Sequence, residues 1–219
     1  MASTSTAKKG KKPAARRNGT RGAANAEALL AAARKLVLER GENFTTQDLI
    51  KEADVALQTF YRHFGGKDQL IIAIIAEMIG AHCESLATRA ADLADPVDRL
   101  HLYITETVAL VSSDAAGGRF ITSQHWRLQQ LHPEALAAAN KPFADLVQRE
   151  LEDARVAGLL MPRAPERDAW LINQLVMAVF HYYSFATDDS AATVADDVWQ
   201  FCVAAVGGTP DAKRRRSAR

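Results

Sequence analysis

The stretch Ala56-Leu57-Gln58-Thr59-Phe60-Tyr61-Arg62-His63-Phe64-Gly65-Gly66-Lys67-Asp68-Gln69-Leu70 decides how this 219-residue chain is read. It predicts a short helix from about Leu57 that stops at Gly65-Gly66, with Phe60 and Phe64 four apart and facing a core. Just upstream, Thr45 offers an N-cap with Asp48 three residues on, a weak capping box. Leu49, Ile50 and Ala53 face inward, and Asp54 ends this first short helix. Before it, Leu29, Ala33, Leu36 and Val37 share one face of a longer helix that begins near Ala24 and stops at Gly41. Two short helices joined by a tight turn and packed on a longer one predict a helix-turn-helix. Its residues suit DNA. Thr45, Thr46 and Gln47 sit at a helix N-terminus, where free N–H groups attract phosphate. Gln58 and Thr59 open the second short helix, where short polar side chains reach base edges. Tyr61, His63 and Lys67 are expected to donate to phosphate oxygens, and Leu57 and Arg62 complete the expected contact set.

The same string closely resembles the DNA-binding region of TetR-family transcriptional regulators. Thr59, Tyr61, His63, Phe64, Lys67 and Leu70 match the family pattern at its spacing, and Phe44 to Leu49 resembles the family's first short helix. The resemblance covers about residues 24–80 in sequence. Ala56 stands where the family often has a capping Ser, and Gln58 where Gly is common. The resemblance implies a homodimer on a palindromic double-stranded DNA operator, usually a repressor released by a small ligand.

Charge is distributed to match. The chain has 27 Lys and Arg against 26 Asp and Glu, a net charge of only +1. Residues 1–21 nevertheless hold seven basic residues and no acid, and residues 211–219 hold five basic residues against Asp211. Residues 73–210 hold nine basic and 18 acidic residues. Basic tails on an acidic globule are the asymmetry of nucleic-acid or anionic-surface binders. Residues 1–21 are expected to be a disordered arm that enters the minor groove beside the operator contact; the basic tail from residue 209 reads as a solvated end.

Beyond the helix-turn-helix the periodicity stays helical, giving an all-α chain of about nine helices. The expected division is a DNA-binding domain over 22–80 and a larger ligand-binding and dimerisation domain over 81–208. A long helix runs from Lys67 to about Leu93, and Asp95-Pro96 starts the next. Asp114 to Gly118 reads as a loop, followed by helices over Arg119–Leu131, Pro133–Ala157 (kinked at Pro142), Glu166–Ala186 and Ala192–Val206. The last two are apolar on more than one face, which suggests a symmetric homodimer built on a four-helix bundle. A ligand pocket needs apolar walls with a few polar groups. Tyr103, Thr107, Phe120, Gln124, His125, Trp126, Gln129, Phe143, Trp170, Asn173, Gln174, Met177 and His181 are its candidates, and they favour a small hydrophobic or aromatic effector.

Rival functions find less support. Cys83 and Cys202 are too few for a disulfide framework or a cysteine metal site. His125 and His132 make a poor metal pair because His132 precedes Pro133. Gly65-Gly66-Lys67 lacks phosphate-loop spacing, and no nucleophile elbow appears. No cofactor, metal or catalytic residue is expected, although a helical enzyme with an apolar pocket stays open as the lesser alternative. A sequence-independent architectural DNA binder is the other. The basic N-terminus lacks a signal-peptide core, and the apolar run Leu70–Ile79, broken by Glu77, is about half the ~20 residues that span a bilayer. A cytoplasmic protein that engages no membrane is expected.

Overall fold

A computed structural model describes residues 15–41, 43–186 and 190–209 of the chain. Among these it has nine α-helices and no strand: α1 (Ala15–Arg40), α2 (Thr46–Glu52), α3 (Leu57–Phe64), α4 (Lys67–Ala90), α5 (Pro96–Ser113), α6 (Ala115–Leu131), α7 (Pro133–Val156), α8 (Pro165–Tyr183) and α9 (Ser190–Ala205). Local chemistry sets most of these bounds. Asp54 takes the left-handed conformation (φ 51°), and the Val55 N–H donates to the Ile50 carbonyl at 3.1 Å. That pair closes the end of α2 and makes the turn into α3. Gly65, at φ 71°, does the same for α3. The Asp95 side chain accepts from the Val97 N–H, with Pro96 in the first turn of α5.

Three boundaries depart from the sequence reading. α1 begins at Ala15, so Arg16, Arg17 and Arg21 belong to a helix rather than to a disordered arm. Residues 1–14 and the basic tail from residue 210 lie outside the described residues. α6 begins at Ala115, with Asp114 as its cap, so Gly117-Gly118 is helical and not loop. These glycines answer a steric demand. A Cβ on Gly117 would clash with the Asp114 carboxylate and lie 2.9 Å from Met78 Cε, and one on Gly118 would lie 3.2 Å from Ser184 Oγ. α8 ends at Tyr183, three residues before the expected Ala186. Pro142 sits within α7 without ending it.

The helices enclose two apolar cores. The first joins Leu29, Leu36, Phe44, Leu49 and Phe60 to Leu70, Ile71, Ile74 and Ile75 of α4, and continues into Phe120, Ile121, Leu128 and Phe180. The second surrounds Leu86, Leu100, Ile104, Val108, Val147, Leu151, Val176, Val198 and Val203. α4 serves both, and residue 80 falls inside it without a break. By length and composition alone α4 could cross a membrane, but Leu70, Ile71, Ile74 and Ile75 are buried in the first core. Arg34 of α1 pairs with Glu77, Arg127 of α6 with Asp68 at 2.8 Å, and these bridges hold α4 from two sides.

Two buried polar clusters lock the upper helices. Glu150, 3% exposed, accepts from Arg99 Nε at 2.7 Å and from the Tyr103 hydroxyl at 3.3 Å. Arg99 also donates to the Leu93 and Ala94 carbonyls in the loop between α4 and α5. Between α6 and α8 a chain of hydroxyls fixes one histidine. Ser184 donates to the Phe180 carbonyl at 2.8 Å, and Thr122 donates to Ser184 Oγ at 3.0 Å. The Thr122 oxygen, 2.9 Å from His181 Nδ1, therefore accepts from an Nδ1–H, which leaves Nε2 as a bare lone pair. That Nε2 is buried without a hydrogen-bond partner, and the His125 ring lies 4.3 Å away. Burial, and then the neighbouring His125, push the His181 pKa down to about 4.

Each cluster gives a measurable expectation. Glu150→Leu strands Arg99 and the Tyr103 hydroxyl, and should lower stability by about 3 kcal/mol in urea unfolding. An unchanged urea midpoint contradicts this. His181 binds a proton more weakly folded than unfolded, so its contribution is complete above pH 6.5 and is lost as pH falls toward 4. Full loss amounts to about 3 kcal/mol. His181→Leu should flatten the stability profile between those pH values relative to the parent, and parallel profiles refute the assignment.

Candidate functional site

The helix-turn-helix presents a narrower face than its sequence suggests. Leu57, Gln58, Tyr61 and Arg62 are exposed along one side of α3, while Thr59 is half-buried and Phe60 is in the core. Thr45 and Gln47 are exposed at the start of α2, and Thr46 is half-buried. The capping box is complete: Thr45 Oγ1 accepts from the Asp48 N–H at 3.1 Å, and the Thr45 N–H and hydroxyl both donate to Asp48 Oδ2. Those bonds hold the Asp48 carboxyl below its ordinary pKa. The Thr45 hydroxyl is thus committed to the helix it caps.

Two expected phosphate donors turn inward. Lys67 Nζ donates to the Phe44 carbonyl at 2.6 Å and lies 4.5 Å from the centre of the Phe44 ring. It fastens the head of α4 to the loop before α2. His63 is half-buried with Nε2 shielded and without a hydrogen-bond partner among the described residues; a Cβ on Gly22 of α1 would stand 3.8 Å from its ring. The phase of α3 explains His63. Leu57, Gln58, Tyr61 and Arg62 repeat at one- and four-residue steps, and His63 lies some 100° further round the helix from Arg62. α3 itself starts on Ala56, whose side chain makes no cap bond.

Above this unit lies a cavity of about 390 Å³. Met78, Ile79, Ala81, His82 and Cys83 of α4 form one wall, Thr107 and Leu110 of α5 another. Asp114, Gly117, Gly118 and Ile121 close it at the start of α6, and Asn140, Phe143, Asn173, Met177 and Phe180 complete it from α7 and α8. Thr107, Phe143, Asn173 and Met177 of the sequence candidates come together here. The others do not. Tyr103 is bound to Glu150, and Phe120 lies in the core beneath the helix-turn-helix. His125 and His181 pair at the α6–α8 seam. Gln124 is buried and holds Arg127 at 3.2 Å. Trp126 is 70% exposed, Trp170 54% exposed, and Gln129 and Gln174 are on the surface. The α4 wall escaped the sequence reading, which took Leu70, Ile71, Ile74, Ile75, Met78 and Leu86 as one apolar stripe.

The cavity's polar atoms follow a definite order. The Thr107 hydroxyl donates to the Tyr103 carbonyl at 2.7 Å, so its oxygen accepts from His82 Nε2–H at 3.0 Å. Burial lowers the His82 pKa, so its ring is neutral, and burial pushes the Cys83 thiol up to about 11. Asn173 is 5% exposed, and its side-chain oxygen has no hydrogen-bond partner. Outside the cavity, Trp170, Leu171, Tyr182 and Phe185 of the α8 region and Phe201 of α9 leave large apolar side chains on the surface.

The sequence model of the bacterial regulatory proteins of the tetR family matches residues 29–74. No match to a curated protein is found. Solved structures share the whole fold. RolR in complex with resorcinol is 17% identical at a TM-score of 0.68, covering 92% of this chain and 96% of its own. Thermus thermophilus FadR, a TetR-family repressor in complex with lauroyl-CoA, is 20% identical at 0.67, covering 82% of this chain and 94% of its own. AibR in complex with isovaleryl coenzyme A and operator DNA is 23% identical at 0.57, covering 82% and 98%. Residues 29–74 thus match the DNA-binding model of the tetR family, and the described helices share the fold of these solved regulators.

Proposed function

We propose that the chain is a cytoplasmic, non-enzymatic homodimeric repressor that leaves a palindromic operator when a small apolar effector fills the cavity. The observation that carries this reading is the continuity of α4. Its head, at Lys67 and Leu70, is fixed to the α1–α2 loop and the first core. Its middle, from Met78 to Cys83, is a wall of the cavity. A ligand that displaces that wall moves the surface on which α3 rests. Leu57, Gln58, Tyr61 and Arg62 are the groove-facing set, with Thr45, Thr46 and Gln47 beside the phosphates; the basic residues before Ala15 extend contact into the minor groove. Thr59 supports the same face, whereas Lys67 and His63 act through packing.

The exposed side chains Trp170, Leu171, Tyr182, Phe185 and Phe201 support pairing of α8 and α9 with a second copy. Apolar surface of this kind marks an association site, and a two-fold pair places two recognition helices on one duplex face.

Two measurements bear on the reading. In competition gel shifts, DNA upstream of the chain's own gene should bind about 10³-fold or more tightly than random DNA. Arg62→Ala should reduce the slope of log K against log salt by about one, because one fewer phosphate is neutralised. Equal affinity for random DNA favours the architectural alternative instead. Sedimentation at micromolar concentration should show a dimer, and Trp170→Glu should shift it toward monomer. A monomeric parent chain overturns the two-fold arrangement.

A further inference from the structure

Resting on the reading of the cavity as the effector site, the geometry points to an uncharged phenol-like effector, its ring among the apolar walls and its hydroxyl donating to Asn173. Four observations converge on that chemistry. Asn173 presents a buried oxygen without a donor, and an unsatisfied buried acceptor is a standing cost that a ligand O–H removes. The Thr107 oxygen is already engaged, because its hydroxyl donates to the Tyr103 carbonyl and it accepts from His82.

The second observation concerns charge. The lining holds no lysine or arginine, and His82 is neutral. A carboxylate or phosphate brought into such walls would lose hydration with no cation to compensate. The third is the start of α6, the helix N-terminus that opens on the cavity. Its positive end is already taken, since Asp114 Oδ1 accepts from the Gly117 N–H at 3.0 Å. Asp114 also brings negative charge to the lining. An anionic effector therefore meets repulsion where a helix end would otherwise attract it.

The fourth is shape. Phe143 and Phe180 supply flat apolar surface, and the thioethers of Met78 and Met177 supply soft, adjustable surface, a combination suited to a flat ring. A volume of about 390 Å³ is at the small end of ligand sites. Acyl-coenzyme A effectors, which the FadR and AibR structures contain, suit neither the size nor the charge of this cavity.

Four probes test the inference on the full chain by calorimetry and thermal shift. They are 4-propylphenol, 4-propylanisole (similar shape, no donor), 4-propylbenzoate (an anion) and isovaleryl coenzyme A. The phenol should bind about tenfold more tightly than the anisole, and the two anions should produce no shift. Ala81→Trp, at an exposed position on the cavity rim, should abolish phenol binding. Asn173→Leu should bring the phenol and anisole affinities together; the parent chain's phenol-to-anisole ratio decides the matter even if that variant does not fold. Binding of the benzoate or the coenzyme A ester with no response to the phenol overturns the proposed class and leaves the effector reading standing. Equal phenol and anisole affinities overturn the role of Asn173. Silence from all four probes overturns both the class and the cavity's role as an effector site, while the gel shift still judges DNA recognition by itself.

Discussion

α4 must satisfy two cores at once, and the rest of the molecule is arranged around that demand. Its first turns are held by the Lys67–Phe44 carbonyl bond, by Arg127 on Asp68 and by the burial of Leu70 and Ile71. From Lys67 to His82 the helix runs about 22 Å at 1.5 Å per residue, which carries one rigid element from the DNA-binding unit to the cavity. Interiors packed to crystal density do not absorb a displaced side chain locally. In the proposed mechanism a push on Met78 or Ile79 is passed along the helix axis. Arg34 on Glu77 makes α1 part of the same lever.

The polar groups divide into those with every bond made and those left open. Arg99, Glu150 and Tyr103 form a closed set, as do Ser184, Thr122 and the Nδ1 side of His181. Such sets specify one packing of α5 on α7 and of α6 on α8. Asn173 differs, since it lines the cavity and its buried oxygen has no hydrogen-bond partner. Rigidity and responsiveness are thus assigned to different residues of the same helical layer.

Much of this was legible in the sequence. Thr45 with Asp48, Gly65, and Asp95-Pro96 each signal a helix end through backbone chemistry that does not depend on distant contacts. The α3 string carried the helix-turn-helix by itself. What was not legible depends on which neighbour a side chain meets. Asn173 and Gln174 are adjacent on a helix with apolar residues on several sides, yet one lines the cavity and the other is on the surface. A step of about 100° separates them, and only the position of α7 decides which is inside. Gly117-Gly118 reads as a loop because glycine disfavours helix. The capping side chain of Asp114 and the approach of Met78 and Ser184, remote in sequence, call for it. Lys67 looked like a phosphate donor for want of any sign that the Phe44 carbonyl lay in reach.

One consequence follows from Ala56. With no side-chain cap, the Gln58 amide in the first turn of α3 lacks the partner that a serine or aspartate would supply, a deficit of about 1 kcal/mol. Phosphate oxygens along a groove edge are acceptors of the right kind for such amides. In the proposed regulator the reading helix would be finished by its target, and part of the binding free energy would go into completing the protein. Operator occupancy and the integrity of α3 would then rise and fall together.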